Sequence, residues 1–260
     1  MYFLILTLSS IFILSACVSS ETTTMLNTPV AQKQTFDPVA AADTRIKLAL
    51  LYLQNKQMQL AKENLDTALG YQPNDAKIYR VYAYYFQQVN ETDKAEAFYK
   101  KSLYLDDSNG DTYNNYGTFL CALERYDEAE AAFLEAINSK NYAKIARSYA
   151  NAAICAEKGG FNQKAIHYYE SALSYSPNSY ELYLSLAKLN ITEKHYKAAE
   201  TNLFMFQKHS TVTAESLWEW MRLSYASGNK ASFTRYSEQL LEQFPESQQA
   251  LNYLNNGYYD

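Results

Sequence analysis

The sequence predicts an all-α protein, a right-handed superhelical solenoid of about six helix–turn–helix repeats. The first observation is a 34-residue period, in which small, aromatic and branched apolar residues return to the same positions between residues 42 and 247. The second is the scarcity of turn-forming residues, since 7 Gly and 5 Pro are too few for a β-rich fold with many tight turns. The third is the spacing of the 25 Tyr residues, most of which fall on packing positions of this period.

One unit shows the repeat most clearly. In the stretch DTYNNYGTFLCALERYDEAEAAFLEAI, residues Tyr113, Gly117, Ala129 and Phe133 fall on the tetratricopeptide pattern W-x2-L-G-x2-Y…A-x3-F. Small residues at positions 8 and 20 of a unit let its two helices cross closely, and neighbouring hairpins must stack to bury their apolar faces. The predicted units are residues 42–75, 76–109, 110–145, 146–179, 180–213 and 214–247, followed by a C-terminal tail at 248–260.

Two units depart from the pattern. The third is two residues too long, and the surplus is expected in NSKNYAKI, residues 138–145, where it would loosen the stacking of repeats three and four. The sixth is degenerate, because Trp220-Met221 and Phe233 stand at the usual small positions, although it keeps Gly228 and Pro245.

The chain opens with an uncharged apolar run that ends at a cysteine. Residues 1–16 are shorter than the about 20 apolar residues of a transmembrane helix and are typical of a cleaved export signal. The ending LSAC, residues 14–17, resembles the lipobox of bacterial lipoproteins, which implies lipidation of Cys17. Val18, in place of Asp, then implies the outer membrane. A plain secretory signal is the alternative, and no Lys or Arg precedes the run. Residues 17–41 are predicted to be the lipidated cysteine and a flexible tether.

The composition favours a binding protein over an enzyme or a nucleic-acid-binding protein. A net charge of −5 and a pI near 5.4 do not match the basic surface that nucleic acids require. The three His residues have no Cys, Asp or Glu at metal-ligand spacing, and no phosphate-binding Gly-rich loop or nucleophile elbow occurs. We therefore predict no catalytic residues, no metal and no cofactor.

In tetratricopeptide arrays the first helix of each repeat lines a concave groove. Apolar side chains at the groove positions of repeats one and two are candidate anchors for a partner, because grooves bind through such anchors. The alternative is that some of them only pack against the next helix. The Asn at position 6 of repeats three and four is either a ligand for a peptide backbone or a structural residue. The candidate partner-binding residues are Ile46, Leu50, Leu53, Val81, Tyr84, Asn115 and Asn151.

Several strings together are more specific than the repeat: NNYGTFLC (114–121), RYDEAEAAF (125–133), NAAICAEKGG (151–160), ESLWEWMR (215–222) and QLLEQFPES (239–247). The chain resembles the PilF/PilW family of type IV pilus biogenesis lipoproteins, a resemblance that implies an outer-membrane pilotin which helps the pilus secretin assemble. It departs from the family at Trp220 and Ala153, where Gly is common. A periplasmic scaffold of another envelope machine, for outer-membrane protein assembly or control of peptidoglycan synthesis, is the alternative.

The two remaining cysteines, Cys121 and Cys155, stand at positions 12 and 10 of neighbouring first helices. A two-position offset is a rise of only about 3 Å, so the two side chains are expected to face each other. The resembling family carries both positions, and its compartment is oxidising, which favours a disulfide. Two buried free thiols are the alternative.

Overall fold

The computed structural model describes residues 36–255, so the export signal, Cys17 and most of the predicted tether lie outside the described residues. The helices all belong to the unit Pro38–Asp260. No strand is present among residues 36–255, and none of the helices there is both long and apolar enough to traverse a bilayer. The helices are α1 Pro38–Gln54, α2 Met58–Tyr71, α3 Ala76–Gln88, α4 Thr92–Leu105, α5 Gly110–Ala122, α6 Tyr126–Asn138, α7 Ile145–Lys158, α8 Asn162–Tyr175, α9 Glu181–Thr192, α10 Tyr196–His209, α11 Ala214–Ala226, α12 Lys230–Gln243 and α13 Gln248–Leu254.

Consecutive helices pack as hairpins, α1 with α2 through α11 with α12, and each hairpin packs on the next. The crossings are close because the residues at the crossing points are small. Ala49 and Ala61 of the first hairpin are fully buried, and so are their counterparts Ala83 and Ala95 in the second. In the third hairpin the first of these residues is Gly117, where an added Cβ would lie 2.8 Å from the ring of Phe133. The predicted all-α tetratricopeptide fold is confirmed.

A left-handed backbone conformation marks the turn within every hairpin. These residues are the fifteenth of each predicted unit, and they recur every 34 residues except for one interval of 36. The longer interval lies between Glu124 and Gly160, the same interval that contains the predicted surplus. Non-glycine residues are disfavoured in this conformation. Where the residue is not glycine, the packing of the helices on both sides of the turn therefore imposes the conformation. The six residues are Lys56 (φ 56), Asn90 (φ 60), Glu124 (φ 61), Gly160 (φ 75), Lys194 (φ 63) and Gly228 (φ 74).

The surplus residues lie at a junction that is closely packed and that the Cys121–Cys155 disulfide also joins. They form a short loop after α6 in which Asn141 also has a positive φ of 58. The ring of Tyr142 fills the space above Gly110, where an added Cβ would lie 2.5 Å from its Cδ2 atom. The Tyr142 hydroxyl lies 3.0 Å from the Ser148 hydroxyl at the start of α7. The insertion therefore supplies its own packing, and α6 and α7 stay in close contact.

Both ends of the array are more helical than predicted. Helix α1 begins at Pro38, so the last four residues of the predicted tether are helical. Proline is well suited to the first position of a helix because its missing N–H would be unpaired there in any case. At the other end, α13 lies within the predicted tail, and Ala250 is fully buried against α11 and α12. A terminal helix of this kind covers the apolar face that the last hairpin would otherwise leave open.

Candidate functional site: the central groove

The first helices of repeats one to four surround an open groove, here called the central groove. It consists of two adjoining depressions of about 190 and 400 Å³. A volume of this order is within the range of ligand-binding clefts. Its lining residues come from α1, α3, α5 and α7, with the lysine just before α7 and one residue of α4 at the floor: Leu50, Arg80, Val81, Tyr84, Gln87, Tyr99, Asp111, Asn114, Asn115, Thr118, Lys144, Arg147 and Asn151.

Four of the seven predicted partner-binding residues line this groove with accessible side chains. Leu50 is 37% exposed, Tyr84 and Asn151 are half-buried, and Asn115 is exposed. Leu50, Tyr84 and Asn151 belong to three different helices, α1, α3 and α7. The groove therefore offers apolar contact at one end and amide groups at the other.

The other three predicted anchors are corrected by the structure. Ile46, Leu53 and Val81 are 7%, 3% and 4% exposed and belong to the core that joins the first hairpin to the second. Val81 touches the groove only at the edge of the smaller depression. Their side chains point toward neighbouring helices, so they hold α1 and α3 in place and do not offer surface to a partner.

A buried asparagine that the sequence reasoning did not single out organises the amide end. Asn114 is 6% exposed, and its Oδ1 accepts hydrogen bonds from Ser148 Oγ at 3.0 Å and from Asn151 Nδ2 at 2.9 Å. These bonds tie α5 to α7 and fix the orientation of the Asn151 amide. The Asn151 Oδ1 and the Asn115 amide nitrogen remain toward the groove, an acceptor and a donor of the kind that a peptide backbone can pair with.

The groove lining is positively charged although the chain is acidic overall. Asp111 Oδ1 accepts from Lys144 Nζ at 2.8 Å, and Arg80 lies 3.8 Å from the same carboxylate. Arg147 makes no ion pair within residues 36–255 and is exposed at the same wall. Three cations and one carboxylate therefore line this wall, which favours an acidic partner over a basic one.

The floor of the groove is a buried tyrosine. Tyr99 is 1% exposed, and its hydroxyl donates to Gln87 Oε1 at 3.2 Å. Burial raises the pKa of this phenol above its usual value, so the floor stays uncharged. Among the described residues no group of three or more His, Cys, Asp or Glu could hold a metal ion.

Comparisons with known proteins agree with the geometry. Tetratricopeptide repeat profiles match residues 46–111 and 98–131. An uncharacterised protein of Haemophilus influenzae is 38% identical over 145 residues, 56% of this chain and 75% of that protein. The type IV pilus assembly protein PilF of Pseudomonas aeruginosa is 30% identical over 234 residues, 90% of each chain. The chain belongs to the PilF family.

Solved structures extend the relationship to three dimensions. A structure of Pseudomonas aeruginosa PilF has a TM-score of 0.71 at 29% identity and covers 84% of this chain and 99% of that one. The structure of PilW, described as a widely conserved type IV pilus biogenesis factor, has a TM-score of 0.71 at 25% identity, with 82% and 98% covered. The resemblance predicted from the sequence strings is confirmed, and this PilF-family chain is a tetratricopeptide-repeat protein of type IV pilus biogenesis.

The two internal cysteines of this PilF-family protein join two of the helices that line the groove, α5 and α7. The structure pairs Cys121 of α5 with Cys155 of α7 as a disulfide, with the Cα atoms 5.7 Å apart. Both residues are buried, at 7% and 3% exposure. The disulfide and the Asn114 hydrogen bonds both join α5 to α7. This wall of the groove is therefore held by a covalent bond as well as by packing.

Farther along the array, the groove positions change character. Glu219 of α11 stands at the position that Asn115 and Asn151 hold in earlier repeats, yet it is 4% exposed. Burial raises its pKa, while Arg222 Nη1, 2.8 Å from its Oε2, opposes that shift. Nothing in the sequence pattern distinguishes this carboxylate from a solvated one, and sequence reasoning missed it. The groove chemistry of repeats one to four does not continue into repeat six.

Proposed function

We propose that this protein is a pilotin, an assembly factor that binds the type IV pilus secretin through the central groove and is held by lipid at the periplasmic face of the outer membrane. The observation that supports this most directly is the groove itself, in a chain of a family whose relatives are named for type IV pilus assembly and biogenesis. Tetratricopeptide repeats bind protein partners, and the described residues offer a binding surface and no metal-ligating cluster.

The groove fits one segment of a protein partner. Leu50 and Tyr84 offer an apolar contact, and tyrosine is among the residues that most often carry the binding energy of a protein interface. Asn115 and Asn151 offer an amide donor and acceptor to the backbone of the bound segment, and Arg147 offers an unpaired cation to its acidic side chains. The expected ligand is therefore an apolar segment of the secretin with Asp or Glu beside it.

The lipid anchor follows from Cys17, which lies outside the described residues. A diacylglycerol thioether plus a third acyl chain would hold the protein to a membrane stably, because each buried CH₂ contributes about 0.8 kcal/mol. We expect Cys17→Ser to abolish labelling by radioactive palmitate and to leave an uncleaved precursor of slower migration. Labelling that persists in the variant would remove the anchor from the proposal.

Removal of the protein tests the assembly role. Cells that lack it should contain less of the heat-resistant secretin multimer and more secretin monomer, while total secretin is unchanged. Complementation with the full chain should restore the multimer. If multimers and surface pili persist in the deletion strain, the pilotin function is wrong, and a scaffold role in another envelope machine takes its place.

A further inference from the structure

A second cleft lies away from the central groove, at the junction of repeats five and six. It has a volume of about 330 Å³ and is enclosed by α10, α11 and α12. The rings of Trp220 and Tyr236 stack at 5.2 Å and line it, while the charged side chains of Lys197, Glu200 and Arg235 stand around it. We call this the terminal cleft.

The same positions of the array are filled at an earlier junction. Between repeats three and four, Glu130 stands where Glu200 stands in repeat five. Its carboxylate accepts from Lys164 Nζ at 2.7 Å and from the Tyr168 hydroxyl, and the remaining cavity is only about 10 Å³. The next repeat therefore closes this interface by supplying a cation and a phenol to the glutamate.

The junction of repeats two and three follows the same rule with different residues. Glu96, the equivalent of Glu130, accepts from Arg125 Nη1 at 2.7 Å and from the Tyr116 hydroxyl at 3.0 Å. Two successive junctions thus satisfy this glutamate from the following repeat. At the terminal cleft the following repeat, repeat six, supplies a different set of residues.

At the terminal cleft the cation is replaced, whereas the phenol is kept, because Tyr236 stands at the position of Tyr168. Ser232 stands at the position of Lys164, and Trp220 stands at the position of Tyr116. Glu200 makes no ion pair within the described residues, and Tyr236 stacks on Trp220 instead of reaching the carboxylate. The cavity at this junction has a volume of about 330 Å³, against about 10 Å³ between repeats three and four.

The charged residues that line the open cleft are two cations, Lys197 and Arg235, and one carboxylate, Glu200. The Trp220 indole Nε1–H is buried and has no hydrogen-bond acceptor. Within residues 36–255 no other buried side-chain nitrogen or oxygen lacks a partner. The Arg235 guanidinium lies 4.5 Å from the centre of the Tyr236 ring and makes no ion pair, and neither does Lys197. Asp127 stands at the Lys197 position in the filled junction, so the rim has changed from acidic to basic.

The geometry points to the terminal cleft as a second binding site, independent of the central groove, that takes a carboxylate group. A carboxylate accepts hydrogen bonds without donating any, so it matches the two unpaired cations at the rim of the cleft, while the Trp220 ring lines the wall beside them. Glu200 reduces the positive charge of the rim without cancelling it. The volume is near the lower limit for ligand clefts and suits one acidic residue of a peptide or a small free acid.

The two Trp residues of the chain allow a direct test. In Trp218→Phe protein, the single remaining indole N–H resonance belongs to Trp220 and is followed by ¹H–¹⁵N NMR. Titration with the peptide acetyl-Gly-Glu-Gly-amide should shift this resonance, and the neutral acetyl-Gly-Gln-Gly-amide should leave it in place. Free N-acetylglutamate distinguishes the two sources of carboxylate: tighter binding of the peptide indicates a protein segment, and equal binding indicates a small acid.

Charge removal supplies the control. Arg235→Gln should weaken the peptide affinity at least about tenfold, because a hydrogen bond to a charged group is lost. Lys208→Gln removes one positive charge from an exposed site on α10 that does not line the cleft and should leave the affinity unchanged. An unshifted indole resonance with every ligand, equal shifts by the Glu and Gln peptides, or equal losses in the two variants would overturn the assignment.

Discussion

The disulfide between Cys121 and Cys155 joins two first helices across the junction that contains the extra residues. The two positions are 34 residues apart, so the bond closes a loop that contains all of α6. In the chain-entropy account a loop of this length destabilises the unfolded chain by about 4 kcal/mol. Reduction leaves two small, buried, apolar thiols in place, so the folded contacts should survive and the loss should come mainly from the unfolded state.

The perturbation is reduction of the purified protein, with the double variant Cys121→Ala/Cys155→Ala as a control that reductant cannot affect. Reduction should lower the urea midpoint of the wild type by roughly 1–2 M. Because repeat arrays unfold partly in local units, the loss of hydrogen-exchange protection should be concentrated in α5 to α8.

Two results would refute this reasoning. Alkylation without prior reduction, followed by mass spectrometry, would show the absence of a bridge if both Cys121 and Cys155 were modified. Identical urea midpoints with and without reductant, in protein shown to be bridged, would mean that the bond contributes nothing to the stability of the array.

Two further predictions concern turns and pH. Lys194→Gly should stabilise the protein by up to about 1 kcal/mol, because the residue in the left-handed conformation then has no side chain. Gly228→Ala should destabilise it by about 1–2 kcal/mol, because it adds a side chain to a residue in the same conformation. Thermal unfolding measures both changes, and equal effects of the same sign would contradict the account. Hydrogen bonds from Arg125 lower the pKa of Glu96 from 4.5 to about 2. This stabilisation, about 1–2 kcal/mol after solvent screening, is therefore present above about pH 4.5 and is lost as the pH falls toward 2. Glu96→Gln should reduce the acid dependence of the free energy of unfolding by that amount, while Asp106 and Glu130, whose pKa values are also lowered, keep part of it. An unaltered pH dependence would exclude the Glu96–Arg125 pair as a source.

The repeat register was predictable because it rests on local, periodic features. Ala49 and Ala61, with their counterparts 34 residues on, are small for a reason that acts within one hairpin, so the sequence carries it directly. The start of α1 was not predictable in the same way. The stretch around Pro38 is polar and rich in Ala, which suits both a tether and a helix, and the contacts that select the helix come from α2 and α3.

The groove was only partly predictable because its lining depends on how each first helix is rotated against its neighbours. Leu50 and Leu53 are one turn apart and equally apolar, yet one is 37% exposed and the other 3%. Asn114 and Asn115 are adjacent and identical, but only Asn114 meets Ser148, which lies 34 residues away in the chain. Distinctions of this kind arise from tertiary packing, which a repeat pattern does not encode.

The central claim is that the groove binds the secretin, and the affinity of the purified protein for detergent-solubilised secretin tests it most directly. Leu50→Glu places a charge in the groove, whereas Leu51→Glu places the same charge at the next position of α1, which is 50% exposed and outside the groove. With both variants shown by circular dichroism to be folded, Leu50→Glu should weaken binding at least about tenfold and Leu51→Glu should leave it unchanged. Equal affinities for the wild type and both variants would contradict groove binding, and no measurable affinity for any of the three would contradict the secretin as the partner.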